Sequence, residues 1–116
     1  MIEINHVSKT FGTKKAVDDI TVTIPTGCIT GVIVPNGAGK TTSIHMMTGV
    51  LQPDTGSIKL NGKDITKDPI EAKREFGLVP DSPDLFLRLS GLEYINFMAD
   101  LYHIDTATRN ARIKAL

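Results

Sequence analysis

Apolar and polar residues alternate along the first quarter of the chain. One alternating run covers residues 2–8 and is closed by Phe11-Gly12, and a second covers residues 16–24 and ends at the turn residues 25–27. Neighbouring side chains of a β-strand point to opposite faces, so alternation indicates a strand with one apolar face. The pattern therefore predicts two strands that pair antiparallel through a short glycine-containing turn, with one face in water.

A third segment, residues 28–34, is apolar at almost every position. Its apolar residues are Cys28, Ile29, Val32, Ile33 and Val34. This composition is typical of a strand that is buried on both faces of a parallel sheet. We expect such a strand here, in the interior of the protein.

The rest of the chain alternates helices with short strands. Periodicity and capping residues predict helices at 40–49, 69–75, 91–103 and from 105 or 106 to the end, and strands at 57–60 and 76–79. Asp68 followed by Pro69 marks the start of the second helix. The fold class this order predicts is α/β. The last helix has no stop signal, since Ile113 and Leu116 still keep helical spacing, so we expect a truncated chain.

Composition narrows the class of protein. The chain has 116 residues, 41% of them hydrophobic, and 13 basic against 13 acidic side chains. This length allows one domain, and the balanced charge argues against a nucleic-acid-binding protein. No apolar run approaches the roughly 18–20 residues that span a bilayer, so we expect no direct membrane insertion. The single cysteine, Cys28, suits a reducing compartment, and we expect a cytoplasmic protein.

A glycine-rich turn between the predicted apolar strand and the first helix carries the candidate chemistry. Small residues at positions 37–39 let backbone N–H groups surround a phosphate, and the helix N-terminus adds partial positive charge. Lys40 is placed for β- and γ-phosphates, the Thr41 hydroxyl for Mg²⁺ and Thr42 for an α-phosphate. The alternative is a structural turn with an incidental lysine, but the order strand, loop, helix favours the phosphate site. The site residues are Pro35, Asn36, Gly37, Ala38, Gly39, Lys40, Thr41 and Thr42.

Over residues 35–42 the chain resembles the N-terminal half of an ATP-binding cassette domain, the ATPase subunit of ABC transporters. The resemblance covers all 116 residues and is also carried by Phe11-Gly12, Ala16-Val17 and residues 51–58, 60–64 and 76–80. It implies a partial P-loop NTPase fold with N-terminal antiparallel strands, the phosphate loop and the start of a helical subdomain. Residues 1–89 would then form the β-subdomain with the phosphate loop and the loop around Asp81. Residues 90–116 would begin the helical subdomain.

The resemblance also implies ligands and partners. ATP and Mg²⁺ would bind at the loop, with Phe11 stacking on adenine and Val17 lining the same face. The alternative for Phe11 is a plug at the end of a strand. The partners implied are a transmembrane permease subunit and a second ATP-binding cassette, at the inner face of the cell membrane. The implied function is that of a Mg-ATP-binding subunit, of exporter type, that powers transport when complete.

Two positions depart from the family pattern. Val34 stands six positions before Lys40, where the family has a small residue, usually glycine. A β-branched residue does not readily take positive φ and crowds packed backbone, so we expect weakened nucleotide affinity. Asp81 stands where the family has a glutamine near Mg²⁺ and the attacking water. A carboxylate suits Mg²⁺, so Asp81 is a candidate metal ligand, with a solvated turn as the alternative.

Hydrolysis by this chain alone is not expected. Phosphoryl transfer needs a further carboxylate on the metal and donors for developing charge, and no run of four apolar residues followed by Asp-Glu occurs after Thr42. Leu89-Ser90-Gly91 resembles the start of the family signature, but Leu92-Glu93 follows, so we interpret it as a helix cap. Alternatives are a cassette completed by another chain, a non-hydrolysing nucleotide-binding or docking module, a non-functional remnant and, least favoured, another P-loop enzyme.

Overall fold

The computed structural model describes residues 1–35, 37–81 and 88–115. Within these ranges the chain divides into two compact units, Met1–Leu78 and Val79–Leu116. The mixture of strands and helices confirms the α/β class. The elements are β1 (Ile2–Phe11), β2 (Lys14–Ile24), α1 (Lys40–Met47), β3 (Thr55–Leu60), β4 (Lys63–Asp64), α2 (Pro69–Lys73), α3 (Gly91–Leu101) and α4 (Thr106–Ala115).

The first unit is built on an antiparallel sheet with the strand order β2-β1-β3-β4. Ile4 lies at its centre, opposite Val22 on β2 and Ile58 on β3. The expected antiparallel pairing of the first two strands is confirmed. The short strand β4 was not predicted, and it follows a two-residue turn in which Asn61 and Gly62 both have positive φ, 48° and 81°. Such turns match the twist of the paired strands, which explains the tight β3–β4 hairpin.

One face of this sheet and two helices share a hydrophobic core. Strand β3 contributes alternate positions, as expected from its pleat, whereas the two buried residues of β1 are three apart across an irregularity in its pairing with β2. Helix α1 contributes Met46 and α2 contributes Ala72. Helix α1 is thereby fixed against the sheet by a side chain that is 1% exposed. The other core residues are Ile4, Val7, Val17, Ile58, Leu60 and Ile65.

Two predicted strands are absent from the described chain. Residues 28–34, expected to be a buried strand, are not paired as a strand, and Ile29 and Ile33 are almost fully exposed. Residues 76–79 also lack strand pairing. A strand needs a hydrogen-bonded neighbour, and among the described residues none pairs with either segment. The prediction rested on apolar composition, which does not supply that neighbour.

The helices agree with prediction in number and place, and differ at their ends. Helix α1 ends at Met47 rather than at 49, and α2 ends at Lys73 rather than at 75. Asp68 occupies the predicted N-cap position of α2, where its carbonyl accepts from Ala72 N at 2.9 Å, but its side chain makes no cap hydrogen bond. None of the described helices is long and apolar enough to cross a membrane.

Helix α3 of the second unit begins at the helix cap that the sequence predicted, and the structure shows it to be a capping box. The Ser90 side chain accepts from Glu93 N at 3.3 Å, and Glu93 Oε2 accepts from Ser90 N at 2.8 Å. The hydrogen bonds from the Ser90 hydroxyl and then from its backbone lower the pKa of Glu93. The segment 89–91 therefore starts helix α3. Helix α4 follows in the predicted place, with Asp105 Oδ1 accepting from Thr108 N at 2.9 Å.

The burial of Ile58 gives a direct test of the core. We expect Ile58→Ala to lower the free energy of unfolding by about 2–5 kcal/mol, because it leaves a cavity at a fully buried site. Ile70→Ala is the matched control: Ile70 is 70% exposed, so the change should be within about 0.5 kcal/mol. Urea denaturation measures both, and equal losses would contradict the packing described.

Candidate nucleotide-binding site

The glycine-rich loop leads directly into helix α1. Gly37 and Gly39 have φ of 83° and 86°, in the left-handed region that glycine adopts without strain. Between them, Ala38 N donates to Pro35 O at 3.2 Å, which closes a tight turn. Ser43 N donates to Gly39 O at 2.8 Å as the helix begins. The first backbone N–H groups of a helix have no partner within it, so this end of α1 offers donors to an anion.

Gly39 packs against strand β2 so closely that no other residue fits. A β-carbon at position 39 would overlap the carbonyl oxygen of Ala16 and would lie 3.0 Å from Cγ2 of Val17. Position 37, by contrast, has open space where a β-carbon would be. The contact at Gly39 therefore holds the loop against the end of the β1–β2 hairpin.

A β-bulge presents the Ala16 carbonyl to the loop. Lys9 is paired with Val17 and Thr10 with Lys15, so Ala16 is an extra residue on β2. A bulge bends its strand and redirects the groups around it. Here it brings the backbone of residue 16 against Gly39, and beyond it Phe11 pairs with Lys14 at the tip of the hairpin.

The hairpin tip and the loop enclose a cleft of about 320 Å³. Phe11 forms one wall and is half exposed. Two cationic side chains, Lys14 and Lys40, and the N-terminal end of α1 give the cleft a positive character, which suits an anionic ligand. The lining residues are Phe11, Lys14, Ala16, Pro35, Gly37, Gly39, Lys40, Thr41 and Thr42.

The structure thus brings most of the predicted site residues to one cleft. Lys14 and Ala16 belong to it as well, and the sequence analysis missed both. Lys14 lies opposite Phe11 across the hairpin, and a predicted two-residue turn after Phe11 could have indicated it. Ala16 could not be found this way, because its place depends on the bulge.

Three residues predicted for the site, Val17, Val34 and Ala38, do not line the cleft. Val17 is 3% exposed and belongs to the core, so it supports Gly39 from beneath. Ala38 and Val34 line an apolar cavity of about 360 Å³ on another side of the loop, between the sheet, residues 30–34 and α1. Asp81 lies in the second compact unit. Asn36 lies outside the described residues.

Val34 is accommodated without backbone strain. It is not among the described residues with positive φ, and its side chain faces the apolar cavity. The loop therefore closes with an ordinary β-branched residue at this position. The weakened nucleotide affinity expected from Val34 stays a prediction.

Metal binding by protein side chains alone is not indicated. Over the parts of the chain that the structure describes, no group of three His, Cys, Asp or Glu side chains is placed to hold a metal ion. The Thr41 hydroxyl lies in the cleft wall and is the one oxygen ligand that the sequence analysis assigned to the loop. A cation here would need further ligands from a bound anion.

The sequence and the fold of this chain both match known proteins. The family described as ABC transporter matches residues 17–116. The chain belongs to the ABC transporter family. The match includes the loop and helix α1 that form the cleft, and it confirms the family named by resemblance.

Relatives of this ABC transporter chain are longer than it is. The daunorubicin resistance ATP-binding protein DrrA3 of Streptomyces coeruleorubidus is 32% identical over 115 residues, which are 99% of this chain and 36% of that protein. The lipopolysaccharide export system ATP-binding protein LptB of Acidithiobacillus ferridurans is 30% identical over 118 residues, 100% of this chain and 49% of that protein. The chain thus spans between a third and a half of these curated relatives.

Solved structures share the fold. The ATP-binding subunit of an ABC transporter superposes with a TM-score of 0.84 at 28% identity, over 92% of this chain and 45% of that one. The ADP conformation of MJ1267, an ATP-binding cassette of an ABC transporter, has a TM-score of 0.56 at 38% identity, over 61% of this chain and 28% of that one. The described architecture is therefore that of part of an ABC cassette.

The contact between Gly39 and Ala16 predicts unequal effects of two alanine substitutions in this ABC transporter chain. Gly39→Ala should destabilise the protein more than Gly37→Ala, because only the former overlaps a backbone carbonyl. Both substitutions place alanine at positive φ, which costs about 1–2 kcal/mol. Urea denaturation of the ligand-free variants measures the difference. Equal destabilisation would mean that the loop does not pack against β2.

Proposed function

We propose that this chain binds Mg-ATP in the cleft between the β1–β2 hairpin and the phosphate loop. The observation that carries the proposal is the joining of an exposed aromatic ring, Phe11, and a phosphate-binding loop in one cleft. A purine nucleotide has a planar apolar base and an anionic tail, and the cleft offers a surface for each. Phe11 would stack on adenine, and Lys40 would contact the β- and γ-phosphates.

The backbone supplies the rest of the phosphate site. Backbone N–H groups of Gly37, Gly39 and the first turn of α1 would bind phosphate oxygens, and Thr42 would donate to the α-phosphate. Lys14 adds a second cation at the hairpin tip. DrrA3 and LptB are ATP-binding proteins by name, and MJ1267 has been solved in an ADP conformation. These relatives support a nucleotide as the ligand of this chain.

Magnesium would arrive with the nucleotide. The Thr41 hydroxyl would hold it, with phosphate oxygens as further ligands, and the ion would neutralise charge on the β- and γ-phosphates. Asp81 is proposed as an additional ligand on chemical grounds, since a carboxylate suits this ion. The residues of the cleft fit a Mg-nucleotide because they supply threonine hydroxyls and cationic surroundings, which do not by themselves form a metal site.

The proposed biological role is that of part of the ATP-binding subunit of a transporter. Its partners would be a transmembrane permease subunit and a second cassette, and it would lie peripherally at the cytoplasmic face of the membrane. Relatives of this chain include LptB, named for lipopolysaccharide export, and CysA, named for sulfate/thiosulfate import, so they support a transporter without fixing its direction. The activity we propose for this chain is the binding of Mg-ATP.

Thermal unfolding with and without excess Mg-ATP tests this proposal. Ligand at 100 times the dissociation constant should stabilise the folded protein by about 2.7 kcal/mol and raise the unfolding temperature by several degrees. Lys40→Ala should abolish most of this shift because it removes the cation for the β- and γ-phosphates. Removing Mg²⁺ with EDTA should reduce the rise in unfolding temperature that ATP causes in the wild type.

Lys59→Ala is the matched control for this experiment. Lys59 is an exposed lysine on β3 and does not line the cleft, so its variant should respond to Mg-ATP as the wild type does. A cooperative transition that Mg-ATP leaves unmoved would contradict nucleotide binding. A transition raised equally in the wild type and in Lys40→Ala would place the ligand elsewhere.

A further inference from the structure

Beneath the hairpin tip, an ion pair lies against the exposed aromatic ring. The Nζ atom of Lys9 lies 5.8 Å from the centroid of the Phe11 ring and 2.6 Å from Asp54 Oδ1. The Lys9 side chain is only 15% exposed, although lysine side chains are mostly exposed in folded proteins. An ammonium over an aromatic face is attracted by the ring electrons, and the attraction grows as the cation loses water.

Besides the hydrogen bond from Lys9, Asp54 makes two hydrogen bonds to the backbone of β1. Its second carboxylate oxygen accepts from Thr10 N at 2.8 Å, and its backbone N–H donates to Ser8 O at 2.9 Å. Asp54 is therefore fixed to strand β1 at the residues on both sides of Lys9. The hydrogen bond from Lys9, and then that from Thr10, holds the pKa of Asp54 below its ordinary 3.8, so this carboxylate is ionised at neutral pH.

The Phe11 ring keeps half of its surface exposed although Lys9 lies over it. Lys9 occupies one side of Phe11, and the ring lines the cleft that also contains Lys40. Because Asp54 neutralises Lys9, the lysine is not a free cation that would attract phosphate by itself. Lys9 instead acts on the Phe11 ring: it restrains the position of the ring and polarises its electrons.

We propose that Lys9 and Asp54 are positioning residues for purine recognition: they hold the Phe11 ring so that a planar base stacks on its exposed surface. This inference rests on the proposed function and extends it, because it assigns affinity for the base, as distinct from the triphosphate, to residues outside the cleft wall. The ligand class selected is a purine nucleotide rather than an inorganic polyphosphate.

Calorimetry with Mg-ATP and with magnesium tripolyphosphate separates the two parts of the site. Lys9→Met removes the charge and keeps the length of the side chain. It should weaken Mg-ATP binding by about 2- to 10-fold, the range expected for a cation–π contact, and leave tripolyphosphate affinity unchanged. Lys9→Arg should restore ATP binding. Lys40→Ala should weaken both ligands, since it acts on the phosphates they share.

Further variants exclude a merely structural effect. Lys59→Met is the matched control on β3 and should bind both ligands as the wild type does. In a Phe11→Ala background, Lys9→Met should cause no additional loss of ATP affinity, because the ring through which it acts is gone. Should Lys9→Met fail to fold, Asp54→Asn removes the ionic partner at nearly constant size and should show the same selective loss of ATP affinity.

The outcomes distinguish this inference from the proposed function. Equal loss of both ligands in Lys9→Met, or no loss of either, would overturn the positioning role while leaving nucleotide binding intact. An added loss in the Phe11→Ala background would overturn it too. If the wild type bound neither Mg-ATP nor tripolyphosphate, the proposed function would fail and the positioning role with it.

Discussion

The rest of the site depends on the contact between the Ala16 carbonyl and the backbone of Gly39. In isolation, the phosphate loop with its two positive-φ glycines and the tip of the β1–β2 hairpin would both be flexible. The contact between the bulge at Ala16 and Gly39 restrains the loop and the hairpin tip together. The tip carries Phe11 and Lys14, and the loop carries Lys40, so this one contact decides whether an aromatic surface and a phosphate site share a cleft.

Two cavities lie against the loop, and Lys40 borders both of them. On the cleft side lie lysine side chains and the end of helix α1. On another side, Val34 and Ala38 face the apolar cavity. This division explains how a β-branched residue is tolerated at position 34, where the family has a small one. The lysines near the Phe11 ring differ in role. Asp54 neutralises Lys9, whereas Lys14 and Lys40 line the cleft and can bind an anion there.

Features set by local sequence were predictable, and features set by pairing were not. The alternation of apolar and polar residues predicted the pairing of β1 with β2, and the cap at Ser90 predicted the start of α3. Both features depend on residues that are close together in the sequence. The expected strand at residues 28–34 was wrong, since a strand requires a partner that apolar composition does not provide. Val17 was expected to line the adenine face, but the bulge at Ala16 changes the alternation and Val17 belongs to the core.

The most direct test of this account is an NMR measurement of the protein with Mg-ATP. The account predicts nuclear Overhauser effects between adenine ring protons and the Phe11 ring, in the same sample in which the backbone amides of Gly39, Lys40 and Thr41 shift. The two signals should saturate together, because one nucleotide bridges the hairpin tip and the loop. Amide shifts without contacts between adenine and Phe11 would contradict a single cleft built on the contact between Ala16 and Gly39.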